Sequence, residues 1–241
     1  MKFRILSWNI REAISISDGL PYDLSGLIKD LNCDALVLQE VPLGGSLIGE
    51  LQVTLRFGHA TVFPLHRASY RSGVSGLAVL TRFPHGILSM TKFSGSGHTV
   101  RLGERVEIAH DKGLMWVDCR TPAGVLYIGN LHLYPFQKMD GDPGDRKFDR
   151  VWQTVRDGLR QYAQMPSVLC GDFNTARRRL ATPSEHPFVS IVEGRVTHEG
   201  FSSDDLLVSQ GIRVLGSRLL ENPSDHLACL ADLDILTRGV L

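Results

Sequence analysis

The chain has 241 residues, 43% hydrophobic and 22% charged, a globular composition long enough for one large domain or two small ones. Its 26 Lys and Arg residues balance 26 Asp and Glu residues. The zero net charge excludes a global electrostatic attraction to nucleic acid or anionic membranes, although it is compatible with a local basic patch. The chain contains no internal repeat, low-complexity tract or linker, which predicts a single domain over residues 1–241.

The cysteines and the N-terminus indicate a cytoplasmic protein. The four cysteines are far apart, occupy apolar runs and lack the spacing of a metal site, so we expect reduced core residues. They are Cys33, Cys119, Cys170 and Cys229. No segment is long and apolar enough to span a bilayer. The first predicted strand begins at Phe3, which leaves no room for a signal peptide. We expect a monomer, although the sequence leaves the oligomeric state open.

A strand–helix–strand unit opens the chain. Residues 3–9 and 35–40 are apolar runs that predict strands, and the second is buried on both faces. Asp23 can cap a helix that continues to about residue 32. Its predicted apolar face consists of Leu24, Leu27, Ile28 and Leu31. Parallel strands would then place Asn9 and Glu40, which end the two runs, at the same edge.

The middle of the chain predicts more strands and one long helix. Pro42 and Gly44-Gly45 break the chain after the second strand, and the Gly- and Ser-rich residues 94–103 predict a loop. Strands are predicted over residues 58–65, 75–82, 114–120, 125–133 and 167–170, with a hairpin across 122–124. The helix is predicted over residues 146–164 because apolar residues recur at intervals of three and four. These residues are Phe148, Val151, Trp152, Val155, Leu159 and Tyr162.

The C-terminal region predicts strands over residues 204–209 and 227–235, with a turn at 223–226. Residues 211–220 are predicted to be the hairpin partner of the strand over 204–209. The basic run Arg177-Arg-Arg179 is consistent to an equal degree with a solvated loop and with phosphate contact.

Polar side chains mark the strand ends. Five of them close predicted strands, namely Asn9, Glu40, His132, Asp172 and Asn174. Three precede or open the last strands, namely Asp204, Asp225 and His226. All eight share one edge if the last strands run antiparallel to the others. The sheets are therefore predicted to be mixed, and the number of strands favours two stacked sheets covered by helices.

The chemistry of these side chains favours a divalent cation. Four carboxylates at one edge repel one another unless a cation lies among them. Oxygen ligands suit Mg²⁺ or Mn²⁺ better than Zn²⁺. Histidines without cysteines fit proton transfer or phosphate contact. Each residue taken alone also has an ordinary explanation, such as an Asp/Asn turn or a buried core histidine.

Several short motifs together resemble one family of enzymes. In chain order they are Ser7-Trp-Asn9, Leu38-Gln-Glu40, Gly76-Leu-Ala-Val-Leu-Thr-Arg-Phe-Pro84, Asn130-Leu-His132, Gly171-Asp-Phe-Asn174, residues 204–209 and Ser224-Asp-His226. This order resembles the endonuclease/exonuclease/phosphatase, or DNase I-like, superfamily. The resemblance extends from residue 3 to about residue 235. It is specific for the superfamily and weak for the substrate.

The resemblance implies a fold, a cofactor and residue roles. The implied fold is a four-layer α/β sandwich, with two stacked mixed β-sheets flanked by helices. Glu40 resembles the principal ligand of Mg²⁺, with Mn²⁺ as an alternative, and Asn9 and Asp225 lie beside it. Asp172 resembles the residue that orients or deprotonates the attacking water. Asn174 resembles a donor to a phosphate oxygen. His226 resembles the histidine at the scissile phosphate, held by Asp204, and His132 resembles the second histidine on the phosphate side.

Two departures from the family pattern are informative. Asn130-Leu-His132-Leu-Tyr-Pro135 stands where abasic-site endonucleases of the exonuclease III type usually carry a Tyr-x-Pro-Asn pattern. The form with His132 resembles DNase I, the sphingomyelinases and the phosphatases. The strand start Lys112-Gly-Leu-Met115 also resembles the phosphatase and diesterase branches. Asp205 stands where many relatives have an aromatic residue or His, so either Asp204 or Asp205 is a candidate, and register favours Asp204.

The implied function is metal-dependent hydrolysis of a phosphate ester by in-line attack of an activated water. A phosphatase or phosphodiesterase acting on a small molecule or lipid head group is favoured. A DNA or RNA nuclease and a non-catalytic phosphate-binding module are the alternatives. Either Asp172 or His226 is the general base.

Overall fold

The computed structural model of the protein describes residues 1–182, 187–192 and 194–236. Its strands are β1 (Lys2–Asn9), β2 (Ala35–Pro42), β3 (His59–Arg67), β4 (Val74–Thr81), β5 (His85–Phe93), β6 (Thr99–Leu102), β7 (Arg105–Ile108), β8 (Lys112–Thr121), β9 (Gly124–His132), β10 (Ser167–Asp172), β11 (Val189–Ser190), β12 (Asp204–Val208), β13 (Ile212–Leu220) and β14 (Ala228–Ile235). Its α-helices are α1 (Leu24–Ile28), α2 (Leu47–Leu55) and α3 (Asp149–Tyr162). Short 3₁₀ turns cover Arg11–Ala13, Lys29–Leu31, Gly95–Gly97, Phe136–Lys138, Arg146–Phe148 and Arg178–Leu180.

Most of the described strands form two mixed sheets. The first has the strand order β13-β14-β1-β2-β4-β3, and the second has the order β11-β12-β10-β9-β8-β5. Within the first sheet β1 and β2 run parallel, and within the second β9 and β10 do so. β14 pairs antiparallel with β1, and β12 pairs antiparallel with β10. These pairings bring the carboxyl ends of four strands and the start of β12 to one edge, as predicted.

The strand residues alternate between two apolar layers, which explains the stacking. On β10, Val168 and Cys170 lie in the core between the sheets, whereas Leu169 lies in the core beneath α3. On β1, Ile5 belongs to the core between the sheets and Leu6 to the outer core shared with α1 and α2. Because each sheet buries both faces, the order of layers is helix, sheet, sheet, helix. The predicted fold class is therefore confirmed.

The two predicted helices form, with shorter bounds. The apolar residues predicted for the face of α3 are all buried. In α1, the Asp23 side chain accepts a hydrogen bond from Gly26 N, and the chain leaves the following 3₁₀ turn with Asn32 in a left-handed conformation. Leu27 is 47% exposed, so the prediction that it shares the buried face of α1 is wrong. The short helix gives Leu24 and Ile28 a buried position without turning Leu27 inward.

Other local predictions fail where long-range pairing decides the structure. α2 forms directly after the Gly44-Gly45 break, and part of the predicted loop over 94–103 becomes β6, which pairs with β7. β5 was not predicted, and it pairs with β8 at the edge of the second sheet. β13 does not pair with β12 as predicted. It crosses to the other sheet and pairs with β14, leaving most of its side chains at least partly exposed.

Two further predictions concern single side chains. The four cysteines are buried and free, as predicted for core residues. Arg178 is neither solvated nor placed for phosphate contact, because its Nε donates to Asp205 Oδ2 at 2.7 Å in the interior. Within the described residues, no helix is long and apolar enough to cross a membrane.

Candidate active site

The edge where the strands end opens into a cavity of about 450 Å³. Six of the eight residues predicted for the site line it, namely Glu40, His132, Asp172, Asn174, Asp225 and His226. The other two lie behind these side chains. Asn9 donates from Nδ2 to Asp172 Oδ2 at 3.1 Å, and Asp204 contacts His226. The structure therefore brings all eight predicted residues together.

Asp172 is a buried residue of the cavity lining. Gly171 precedes it with a φ of +146°, and a side chain there would meet Leu131 O at 1.9 Å, so only glycine fits. The Asp172 carboxylate accepts hydrogen bonds from Asn9 Nδ2, Asn174 N and Asn174 Nδ2. Burial raises the pKa of Asp172 to about 6 despite the opposing charge of His226.

Asn174 lines the cavity, but its side-chain amide is bonded to the protein. Its Nδ2 donates to Leu133 O at 2.9 Å and to Asp172 Oδ2 at 3.1 Å, and its Oδ1 accepts from Gln137. Both amide hydrogens are thus engaged. The Asn174 amide is therefore bonded to Leu133 and Asp172 in this structure, and its implied role as a phosphate-oxygen donor stays a prediction.

His226 lies between two carboxylates. Its Nδ1 is 2.9 Å from Asp204 Oδ2, and its Nε2 is 3.7 Å from Asp172 Oδ2. Burial alone would lower the pKa of His226, but Asp204 and Asp172 outweigh burial and raise it to about 10. The neighbouring Asp205 instead pairs with Arg178. The geometry therefore selects Asp204 as the partner of His226, the choice that register favoured.

His132 lies beside a lysine, whereas His226 lies between two carboxylates. Lys112 Nζ lies 2.7 Å from His132 Nε2, and both side chains are buried. Burial lowers the pKa of His132 well below its ordinary value, and the charge of Lys112 lowers it further. Burial also lowers the pKa of Lys112, while the charges of Glu40 and Asp172 oppose that shift and favour the ammonium. Since an ammonium can only donate, Nε2 of His132 is then the acceptor. The ammonium of Lys112, rather than His132 Nε2, is the donor on this side of the cavity.

The carboxylates at the mouth of the cavity fit a hard divalent cation. Glu40 has a φ of +51° at a shift of register between β2 and β4, and its carboxylate accepts no hydrogen bond from the described part of the chain. Its Oε1 lies 3.7 Å from His132 Nε2 and 3.8 Å from Lys112 Nζ. Burial opposes ionisation of Asp225, but His198, His226 and Arg11 outweigh it and lower the pKa to about 2. Carboxylate oxygens at the mouth of a cavity suit Mg²⁺ or Mn²⁺.

The described residues contain two groups whose potential ligand atoms lie within 4.8 Å of one another. One group is His198, Asp225 and His226, and the other is Asp172, Asp204 and His226. Neither group includes Glu40. Glu40 and Asp225 therefore share the cavity without forming a compact set of ligands.

Several residues around the cavity are not predicted by the sequence patterns. Lys112 was noted only as part of a motif, although a lysine shortly before the apolar run over residues 114–117 is seldom buried. His198, whose ring contacts His226, and the buried Glu12 were not predicted. Glu12 accepts backbone hydrogen bonds from residues 69–71, which fixes the loop carrying Tyr70 at the rim. Loop residues such as Glu12 and His198 carry no periodic signal, so the sequence alone does not identify them.

Comparison with known proteins agrees with this geometry. The model of the endonuclease/exonuclease/phosphatase family matches residues 6–226, which is most of the chain. The protein therefore belongs to the endonuclease/exonuclease/phosphatase family, whose members hydrolyse phosphoester bonds. No curated protein sequence matches the chain.

Solved structures show the same fold at low sequence identity. An endonuclease/exonuclease/phosphatase from Beutenbergia cavernae is 18% identical with a TM-score of 0.72, over 100% of this chain and 73% of that one. The human Nocturnin catalytic domain with a bound sulfate anion is 19% identical with a TM-score of 0.67, over 97% and 93%. ANGEL2, described as a 2',3'-cyclic phosphatase, is 14% identical with a TM-score of 0.59, over 97% and 95%.

Proposed function

We propose that this protein is a divalent-metal-dependent phosphoester hydrolase whose general base is Asp172. The supporting observation is the pair of pKa shifts at the cavity floor. At neutral pH a carboxyl group with a pKa of about 6 is mostly ionised, whereas an imidazole with a pKa of about 10 is protonated. Asp172 can therefore accept a proton, and His226 can only donate one or stabilise negative charge.

Each residue of the site has a separate role in the proposed reaction. Water attacks phosphorus and its proton passes to Asp172, while the phosphorus–oxygen bond to the leaving group breaks and the leaving oxygen takes a proton from the His226 imidazolium. Asn9 and Asn174 hold the Asp172 carboxylate by hydrogen bonds. The cations of His226 and Lys112 stabilise the charge that develops on the phosphoryl oxygens. A divalent ion held by Glu40, Asp225 and the Asn9 side chain would act as a Lewis acid on the phosphate.

We further propose a small molecule or lipid head group as the substrate. A cavity of about 450 Å³ has the size of a small-ligand site, and the chain has no net charge. Nucleic-acid binding rests on many phosphate contacts, and the buried Arg178 is unavailable for one. The phosphatase description of ANGEL2 fits this class. A nuclease remains the second candidate, and we propose a monomeric, cytoplasmic protein with a single domain.

A substrate panel with Mg²⁺ or Mn²⁺ tests the proposal. The panel contains single- and double-stranded DNA, RNA, phosphoinositides, sphingomyelin and aryl phosphates, with Asp172→Asn and an EDTA-treated sample as controls. We expect turnover of a small or lipid substrate that EDTA and Asp172→Asn both abolish, with a modest dependence of kcat/KM on salt. Best turnover of double-stranded DNA with a steep salt dependence would favour the nuclease. Absence of turnover with either metal would favour the remaining alternative, a non-catalytic phosphate-binding module.

A further inference from the structure

His198 stacks on the histidine that we place at the phosphate. The ring centroids of His198 and His226 are 4.0 Å apart and the planes differ by 14°. His198 is 5% exposed, and its Nδ1 is a buried nitrogen without a hydrogen-bond partner in the described residues. Its Nε2 lies 3.7 Å from Asp225 Oδ2. The side chain therefore has two contacts in the site, its ring face on His226 and its Nε2 beside Asp225.

The backbone fixes His198 in this position. Leu227 N donates to Thr197 O at 2.8 Å, which ties the turn over residues 197–201 to the chain directly after His226. The Thr197 hydroxyl accepts hydrogen bonds from Ser203 N and Asp204 N, both at 2.9 Å. One short turn thus connects the stacked ring to the segments that carry His226 and its partner Asp204.

The stacked geometry argues against a metal shared by the two histidines. The lone pair of an imidazole nitrogen lies in the plane of its ring, so two nearly parallel rings direct their lone pairs side by side rather than toward one point. The Nδ1 of His226 is also occupied by Asp204. The two rings instead pack face to face.

We propose that His198 is a positioning residue whose ring face holds the His226 ring in its productive orientation. The single hydrogen bond between His226 Nδ1 and Asp204 still allows the ring to tilt about that contact. A flat ring on one face restricts the tilt and keeps Nε2 directed toward Asp172 and the cavity. The catalytic consequence rests on the proposed function, whereas the orientation of the ring does not.

Two substitutions distinguish the effect of the His198 ring face from the effect of its ring nitrogens. His198→Phe keeps a flat ring and removes both nitrogens, and His198→Gln keeps a polar group and removes the ring. In metal-free protein, the low-field proton resonance of the hydrogen bond between His226 and Asp204 should persist in His198→Phe and broaden or vanish in His198→Gln. With the best substrate of the panel, we expect kcat to fall about tenfold in His198→Gln, with little change in KM and with near-parental kcat in His198→Phe.

Phe201→Ala is the matched control, because it removes a ring that is 54% exposed from the same turn. It should leave both the resonance and kcat unchanged, and circular dichroism should show the same fold in all variants. An intact resonance and parental kcat in His198→Gln would overturn the proposal, as would equal losses in His198→Phe and His198→Gln. If no substrate is turned over, the proposed function fails, but the resonance still tests the role of His198.

Discussion

The two histidines of the cavity share a site and differ in charge. Both are buried, and burial alone would make both neutral. His226 lies against the carboxylates of Asp204 and Asp172, and its pKa is about 10. His132 lies against the ammonium of Lys112, and its pKa is well below the ordinary value. The sign of the nearest charge therefore decides the protonation state, and neither the residue type nor its burial does so.

This difference assigns separate roles to the two sides of the cavity. On the His226 side, a protonated ring can stabilise a phosphoryl oxygen or protonate a leaving group. On the His132 side, the ring accepts a hydrogen bond and orients the cation of Lys112. Substitutions on one side of the cavity should therefore have effects different from those of substitutions on the other side.

Substitution of the charged histidine should have the largest effect. His226→Ala should lower kcat by roughly two to four orders of magnitude, because it removes a positioned charge at the phosphate. His132→Ala, measured in parallel, should lower kcat less, because Lys112 retains its charge. Equal losses in the two variants, with thermal unfolding unchanged, would contradict the assignment of separate roles.

The metal site is expected on the Lys112 side, at Glu40. Glu40→Gln should abolish most of the heat of Mg²⁺ or Mn²⁺ binding in isothermal titration calorimetry, because a neutral amide is a weaker ligand for a hard cation. Glu50→Gln, on the exposed surface of α2, is the matched control and should bind like the parent. Parental affinity in Glu40→Gln would remove Glu40 as the principal ligand.

Removal of the Lys112 charge should reduce kcat less than loss of His226. Lys112→Met keeps much of the side-chain volume, and we expect a loss of about ten- to a hundredfold in kcat. Since burial of a charge is costly, the same variant should be as stable as the parent or more so. The exposed Lys2→Met on β1 serves as the control for the change of residue type. A large loss of stability in Lys112→Met would show that Lys112 has a structural role instead.

A dependence of stability on pH is also expected from the charge of His226. The pKa of His226 rises from 6.5 to about 10 on folding, so its protonation stabilises the folded state fully below about pH 6.5. This contribution is lost as the pH rises through about 10. The difference in free energy of unfolding between the parent and His226→Gln should therefore shrink over this window in urea titrations with EDTA. A constant difference would indicate that His226 is neutral in the folded protein.

The sequence predicts which residues lie at the edge of the sheets better than it predicts the contacts that their side chains make. Strand ends are readable from apolar runs, and for that reason Asn9, Glu40 and Asp172 were placed together. The charge of His132 depends on Lys112, which comes from the neighbouring strand β8, and register between strands is a tertiary property. The position of His198 likewise depends on how a turn packs across two strands. Local patterns carry no information on such contacts.

We expect one cavity to hold a protonated His226 and a neutral His132. Long-range ¹H–¹⁵N correlation spectra of the metal-free protein near neutral pH measure both states directly, with His226→Gln and His132→Gln used to assign the signals. The account predicts that both nitrogens of His226 have the shifts of an imidazolium, and that Nε2 of His132 has the shift of an unprotonated acceptor. A neutral His226 or a doubly protonated His132 would contradict it.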